Sequence, residues 1–214
     1  MMRVLLLCNF LLSVTVCASP LKTEVPMKRK IIEIDVKNKT LMDFLSSLQG
    51  KRKQAILKFH EEYLDLISSA KGSKSKHQDW PGGYQDHLTE MMSMGEQMYT
   101  LFSARRKLPF TFDQVIVVSY FHDLEKVFKY TTGKEIDKPD WYARILPERG
   151  ITFDSQEQNA LKYIHGEGPN DYNPDTRVMN ELAAFCHAID NLSARMWYQR
   201  GKGTGAKGAL KDED

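Results

Sequence analysis

Residues 115–121 read Val-Ile-Val-Val-Ser-Tyr-Phe and run directly into His122-Asp123. Thr111 is placed to start a helix there, which distributes Val115, Ile116, Val118, Tyr120 and Phe121 around almost the whole helix surface. A helix apolar all round must be covered by other elements, so it belongs in the middle of a fold. The chain must therefore supply partners that wrap this segment. It must also account for a histidine and a carboxylate at its end, because a carboxylate in apolar surroundings is costly unless paired, hydrogen-bonded or bound to a metal.

The wrapping elements also read as helices. Ile56, Phe59, Tyr63, Leu64 and Ile67 recur at three- and four-residue steps and predict one amphipathic helix closed near Gly72. The turn-rich run His-Gln-Asp-Trp-Pro-Gly-Gly at residues 77–83 then feeds a helix that stops before Pro109. It carries His87, Leu88, Met91, Met92, Gly95, Met98, Tyr99 and Phe102, with its methionines as core filling. Residues 129–152 mix glycine and proline with Trp141 and Tyr142 and predict a long loop. Ser155, Gln156, Glu157 and Gln158 fit a capping box that opens a helix reaching His165. After a turn-rich break, a last helix is expected from Asp175, with Val178, Met179, Leu182, Phe185, Ile189, Leu192 and Met196 on one face. Strand signals are confined to the alternation at residues 31–36, a short edge strand or an extended arm. The expectation is an all-α fold.

A length of 214 residues suits one domain with appendages. Residues 1–26 have the layout of a secretory leader: a basic start, a short apolar centre, small residues at the exit. That centre is too short to span a membrane comfortably. The competing reading takes Met27 as the true start. The first reading implies secretion, the second a cytoplasmic protein. Residues 27–50 then form an arm and a short helix capped by Thr40, residues 51–200 the domain, and residues 201–214 a disordered tail. Beyond the leader only Cys186 remains, so no internal disulfide is available. Thirty basic against 28 acidic residues leave a net charge of +2, too balanced to make nucleic acid an obligatory partner. The lysines at residues 71–76 read as a solvated loop.

Ligand-type side chains lie on three otherwise apolar helices. His87 follows the Gly-Gly turn, His122 and Asp123 close the central helix, and Asp190 lies beside Ile189 in the last helix. Two imidazoles and two carboxylates suit Mn, Fe, Zn, Co or Ni, with Mg less natural. The order His87, His122-Asp123, Asp190 resembles the H…HD…D signature of the HD phosphohydrolase superfamily. Around it, His77-Gln-Asp-Trp-Pro-Gly-Gly-Tyr-Gln-Asp-His87 is similar to the His-His-x-x-x-Gly-Gly-Leu-x-x-His run of three-prime exoribonucleases. Here Gln78 replaces the second histidine and Tyr84 the leucine. His122-Asp-Leu-Glu-Lys126 resembles the His-Asp-x-x-Lys form found in HD-GYP phosphodiesterases, and the segment ending in His165 resembles the one where binuclear members carry a further histidine.

The resemblance covers residues 51–200 and implies a single helical bundle with a metal site at its centre. It implies that His87, His122, Asp123 and Asp190 ligate a first divalent ion, with Asp123 able to bridge to a second. His165 would be a second-metal ligand or phosphate contact, or else a surface histidine at a helix end. Lys126 would face the phosphate, or be an exposed helix lysine. His77 and Trp80 would wall the substrate pocket, or the glycine turn would be purely geometric. His60 and His187 read as structural.

The expected chemistry is hydrolysis, since a divalent metal lowers the pKa of bound water towards about 7. Lys126, with His165 or His77, would stabilise charge or protonate the leaving group. No phosphate-binding loop of the G-x-x-x-x-G-K-[ST] kind is present in the required strand-to-helix setting. The substrate expected is a small-molecule nucleotide carrying a phosphate ester or anhydride. A cyclic dinucleotide or an RNA end is the alternative, favoured by Lys126 where nucleotidase branches often carry glutamate. Di-iron oxygenase chemistry is a third reading, and self-association stays open.

Overall fold

The computed structural model describes residues 39–171, 173 and 175–196. The leader at 1–26, the alternating run at 31–36 and the tail at 201–214 lie outside the described residues. Every regular element among the described residues is a helix, so the fold is all-α. In order these are α1 (Leu41–Ser47), α2 (Arg52–Glu62), α3 (Leu64–Ser69), α4 (Gly83–Ser103), α5 (Phe112–Phe121) and α6 (Leu124–Thr132). There follow the short turns α7 (Lys138–Asp140) and α8 (Leu146–Glu148), then α9 (Ser155–Tyr163) and α10 (Glu181–Met196). No described helix is long and apolar enough to cross a membrane.

α5 is the axis. Every residue from Val115 to Phe121 is buried, and α4, α9 and α10 all pack on it. Its start is fixed by a capping box in which Thr111 accepts from the Gln114 amide and Gln114 answers the Thr111 backbone. α10 seats across α4 and α9. Gly95 makes the α4 crossing close, since a Cβ there would meet the Ile189 side chain at 3.2 Å. α1 is part of the same core: Leu41, Phe44 and Leu45 are buried under a Thr40–Asp43 capping box.

Four local expectations are corrected. The helix expected through Ile56 and Ile67 is two, broken at Tyr63, whose φ of −108° and ψ of 15° leave the helical region. The loop expected over residues 129–152 begins with the rest of α6, stopped by left-handed Gly133, and then winds through α7, a π-helical turn (Trp141–Ile145) and α8. Trp141 and Tyr142 pack against the core there, with Leu146 and Ile151 buried. The α9 capping box is Asp154 with Glu157, one residue earlier than Ser155, because Glu157 must turn inward to meet Arg52. α10 starts at Glu181, where the Asn180 side chain accepts from the Ala183 amide at 2.7 Å. Its buried stripe is Leu182, Phe185, Cys186, Ile189, Asp190 and Ser193, while Leu192 and Met196 are exposed.

Candidate metal centre

The site forms where α5 ends. His122 and Asp123 are fully buried, at the break between α5 and α6, where a helix would leave its last carbonyls without partners. Side chains from three neighbours bond to them. Tyr84 OH donates to Tyr120 O at 3.2 Å, Tyr142 OH to Phe121 O, and Lys138 Nζ to His122 O at 2.8 Å. Burial pushes both phenols up, so they remain protonated donors. The His-Asp turn is therefore held from α4, α7 and the π-turn.

Around that turn the side chains of α4 and α10 converge with His165, which lies just past the end of α9. His87 Nε2 lies 3.2 Å from Asp190 Oδ1, and His122 Nε2 lies 3.7 Å from the same oxygen. Asp123 Oδ2 is 3.1 Å from His122 Nε2, and Asp123 Oδ1 is 3.3 Å from His165 Nε2. Two overlapping groups result: His87, His122 and Asp190, and His122, Asp123 and His165, each with ligand atoms within 4.8 Å of one another. The first group is buried, and the second opens to solvent through His165, whose side chain is 52% exposed. Lys126 Nζ contacts Asp123 Oδ2.

Hydrogen bonding settles which ring nitrogens face inward. His122 Nδ1–H donates to Ser119 O at 2.7 Å, which turns Nε2 toward Asp123 and Asp190. Ser193 Oγ gives its hydrogen to Glu90 Oε2 at 2.6 Å and so accepts from His87 Nδ1–H at 2.9 Å. His87 Nε2, His122 Nε2 and Asp123 Oδ1 are buried without hydrogen-bond partners. Each of these atoms nevertheless lies within ion-pair distance of a neighbour, at 3.2 Å for His87 Nε2 and Asp190 Oδ1, 3.1 Å for His122 Nε2 and Asp123 Oδ2, and 3.3 Å for Asp123 Oδ1 and His165 Nε2. Positive charge is therefore required among them, as a metal ion or as protons on the imidazoles. The electrostatics agree. Burial pushes His87 down, so it is a neutral imidazole ready to ligate. Burial works against protonation of His122 too, but Asp123 and Asp190 outweigh it and raise its pKa. Burial raises Asp123, yet His122, His165 and Lys126 together hold it well below the usual carboxylate range. The site draws positive charge, and each group of three, His87 with His122 and Asp190 or His122 with Asp123 and His165, could hold a metal ion.

Residues behind the ligands hold them in place, with roles the sequence does not disclose. Gln78 is buried with a left-handed φ of 37°. Its Nε2 donates to Glu90 Oε2 at 2.9 Å and Ser193 Oγ at 3.2 Å, and its Oε1 accepts from His77 Nδ1 at 2.7 Å. The Gln78 amide thus links His77 to the support of His87. Gly83 permits this, since a Cβ there would fall 1.9 Å from the Gln78 carbonyl oxygen. The available signal was a serine three residues after Asp190 on the buried stripe of α10.

Lys76, His77, Lys126, His165, Asp190 and Arg195 are among the residues that line one cleft of about 200 Å³. Trp80 is not among the lining residues: its indole Nε1 donates to Asp86 Oδ2 at 2.7 Å, so the aromatic wall expected there is absent from the cleft. His60 bonds Tyr120 OH at 3.0 Å, and His187 bonds Ile164 O at 2.6 Å, both structural contacts. Comparison with protein-family models, curated proteins and solved structures found no match to this chain.

Proposed function

We propose that this protein is a metal-dependent hydrolase of the HD phosphohydrolase type, cleaving a phosphate ester or anhydride of a nucleotide. The observation that carries the reading is the buried cluster of ligand-type atoms from His87, His122, Asp123 and Asp190, beside a cleft lined by Lys126 and His165. His87, His122, Asp123 and Asp190 would hold the ion. When bound, a divalent metal supplies Lewis acidity that lowers the pKa of water towards about 7 and polarises a phosphoryl oxygen.

The chain's own groups do the rest. Lys126 presents an ammonium at the cleft wall and balances charge on the phosphoryl oxygens. His165, at the solvent edge, is within reach of the same centre and gives a proton to the departing ester oxygen as the bond from water oxygen to phosphorus forms. Ser119 O and Ser193 Oγ hold the two buried imidazoles with their Nε2 atoms inward.

The test is a screen of the purified chain with Mn, Co, Ni, Mg and Zn against nucleotides and bis-p-nitrophenyl phosphate. Metal-dependent release of phosphate from a nucleotide is the expected result. Turnover of diesters alone points to the cyclic-dinucleotide or RNA-end alternative, and no turnover with any metal sinks the hydrolase reading.

A further inference from the structure

The loop that carries the lysines at residues 71–76 is closed at its base, where Gly72 N donates to Gln78 O at 2.9 Å. Ser73 is buried within it, and its Oγ accepts from the His77 amide at 2.8 Å while donating to His77 O at 2.7 Å. Both backbone polar groups of His77 are thereby held. The ring is held as well. Gln78 Nε2 lies 2.9 Å from Glu90 Oε2, and an ionised carboxylate only accepts, so this end of the amide is its NH₂. The other end, Oε1, is then the acceptor at 2.7 Å from His77 Nδ1, and Nδ1 must carry the hydrogen. A neutral imidazole has one N–H and one lone pair. The ring nitrogen that His77 can offer to a ligand is therefore Nε2, as an acceptor.

Two features tie this ring to the site. His77 lines the same cleft as Lys126, His165 and Asp190, and its ring centroid is 5.1 Å from that of His87. Among the described residues, neither group that could hold a metal ion takes in His77. Its ring thus stands beside the candidate ligands rather than among them. The Glu90 oxygen that anchors Gln78 also receives Ser193 Oγ at 2.6 Å, and Ser193 Oγ accepts from His87 Nδ1. One carboxylate oxygen sets the hydrogen direction in both rings, through Ser193 for His87 and through Gln78 for His77. The arrangement is kept at a local cost. Gln78 has a φ of 37°, a region in which a residue with a Cβ is strained and stays only where its surroundings over-determine it.

We propose that Gln78 is a positioning residue that fixes His77 Nε2 as a hydrogen-bond acceptor, so that the cleft takes a group bearing an O–H. Two sources share that chemistry: a hydroxyl of the bound phosphate ester, and the attacking water. The inference rests on the phosphohydrolase reading for the phosphate alone. It reverses one role expected of His77 from sequence. The ring accepts a hydrogen and does not protonate a leaving group, which leaves that task to His165.

The experiment is nuclear magnetic resonance of the zinc-loaded full chain, labelled with nitrogen-15 in its histidines, at about pH 8, where an ordinary histidine is neutral. Two-bond proton–nitrogen couplings show which ring nitrogen carries the hydrogen, and His77→Phe identifies the signal by its loss. Wild-type His77 should carry hydrogen on Nδ1, and Gln78→Leu should return it to the Nε2–H form that a free histidine side chain favours in water. Gln78→Glu keeps an oxygen facing Nδ1 and should retain the wild-type form. An Nε2–H ring in wild type overturns the proposal, as does an Nδ1–H ring in folded Gln78→Leu. Loss of the Nδ1–H form in Gln78→Glu overturns it whether or not Gln78→Leu folds. Calorimetry with glycerol 1-phosphate and propyl phosphate, alike in length and charge but not in hydroxyls, separates the two sources. Glycerol 1-phosphate should bind wild type about two- to tenfold more tightly, the worth of one hydrogen bond, and His77→Phe should remove the difference. Equal binding with a kcat that falls in His77→Phe at unchanged KM assigns the O–H to water. Equal binding with no such fall overturns the acceptor role. An Nδ1–H ring with hydroxyl-dependent binding but no ester hydrolysis supports the inference and removes the hydrolase reading. Hydrolysis with an Nε2–H ring does the reverse.

Discussion

Ser193→Ala separates support of the metal ligands from simple packing. Ser193 is fully buried, and one oxygen both accepts from His87 Nδ1 at 2.9 Å and donates to Glu90 at 2.6 Å. Removing it takes the acceptor from a buried ring N–H, a loss of about 1–3 kcal/mol in the metal-free protein. Loss of a partner that orients a ligand also weakens metal binding about 10–100-fold. At a metal concentration about 100 times the wild-type Kd, the ion stabilises the fold by about 2.7 kcal/mol. The same concentration leaves about 1.4 kcal/mol after a tenfold loss and about 0.4 after a hundredfold loss. For a chain of this size the metal-induced rise in Tm therefore shrinks from roughly 5–11 °C to roughly 1–6 °C. Differential scanning calorimetry with and without manganese reads both quantities on one variant. A lower metal-free Tm with an undiminished metal-induced rise refutes the reasoning and makes Ser193 a packing residue only.

Three further outcomes are expected. Arg52→Ala leaves Glu157 buried without its bidentate partner and should cost about 3 kcal/mol in urea unfolding, the low end for a broken buried pair because Arg52 is partly solvated; a loss below about 1 kcal/mol refutes it. Burial holds His60 below its ordinary 6.5, so the unfolded chain takes up a proton that the folded chain resists. Its contribution is complete above pH 6.5 and is lost as pH falls through the folded value, and His60→Gln should flatten the fall in urea midpoint between neutrality and about pH 5. Gly83→Ala drives a Cβ into the Gln78 carbonyl and should lower both Tm and metal affinity; an unchanged metal titration contradicts the link from Gln78 to His87.

Much of the fold was legible because its strongest signals are local. Thr40 and Thr111 both sit at helix starts in the structure, and the apolar run at residues 115–121 is buried throughout. His87, His122, Asp123 and Asp190 lie in one cluster. The misses are tertiary. Leu192 and Met196 obey the helical period but lie on the exposed side of α10, because Asp190 and Ser193 claim the inward side for polar contacts. Residues 138–148 form helical turns despite Pro139 and Pro147, since Tyr142 and Lys138 bond to the carbonyls of the His-Asp turn. Trp80 resembled a cleft wall in sequence but found Asp86 six residues on.

Metal binding at the His-Asp turn tests the central claim most directly. Wild type and Asp123→Ala should be titrated calorimetrically with manganese and cobalt, alongside far-ultraviolet circular dichroism and phosphate-ester turnover. Wild type should take up metal stoichiometrically, and Asp123→Ala should lose metal and turnover together while keeping most of its helical signal, since the metal offsets the charge of a buried carboxylate. Stoichiometric metal with normal turnover in Asp123→Ala, or a folded wild type that binds neither ion, would contradict the account.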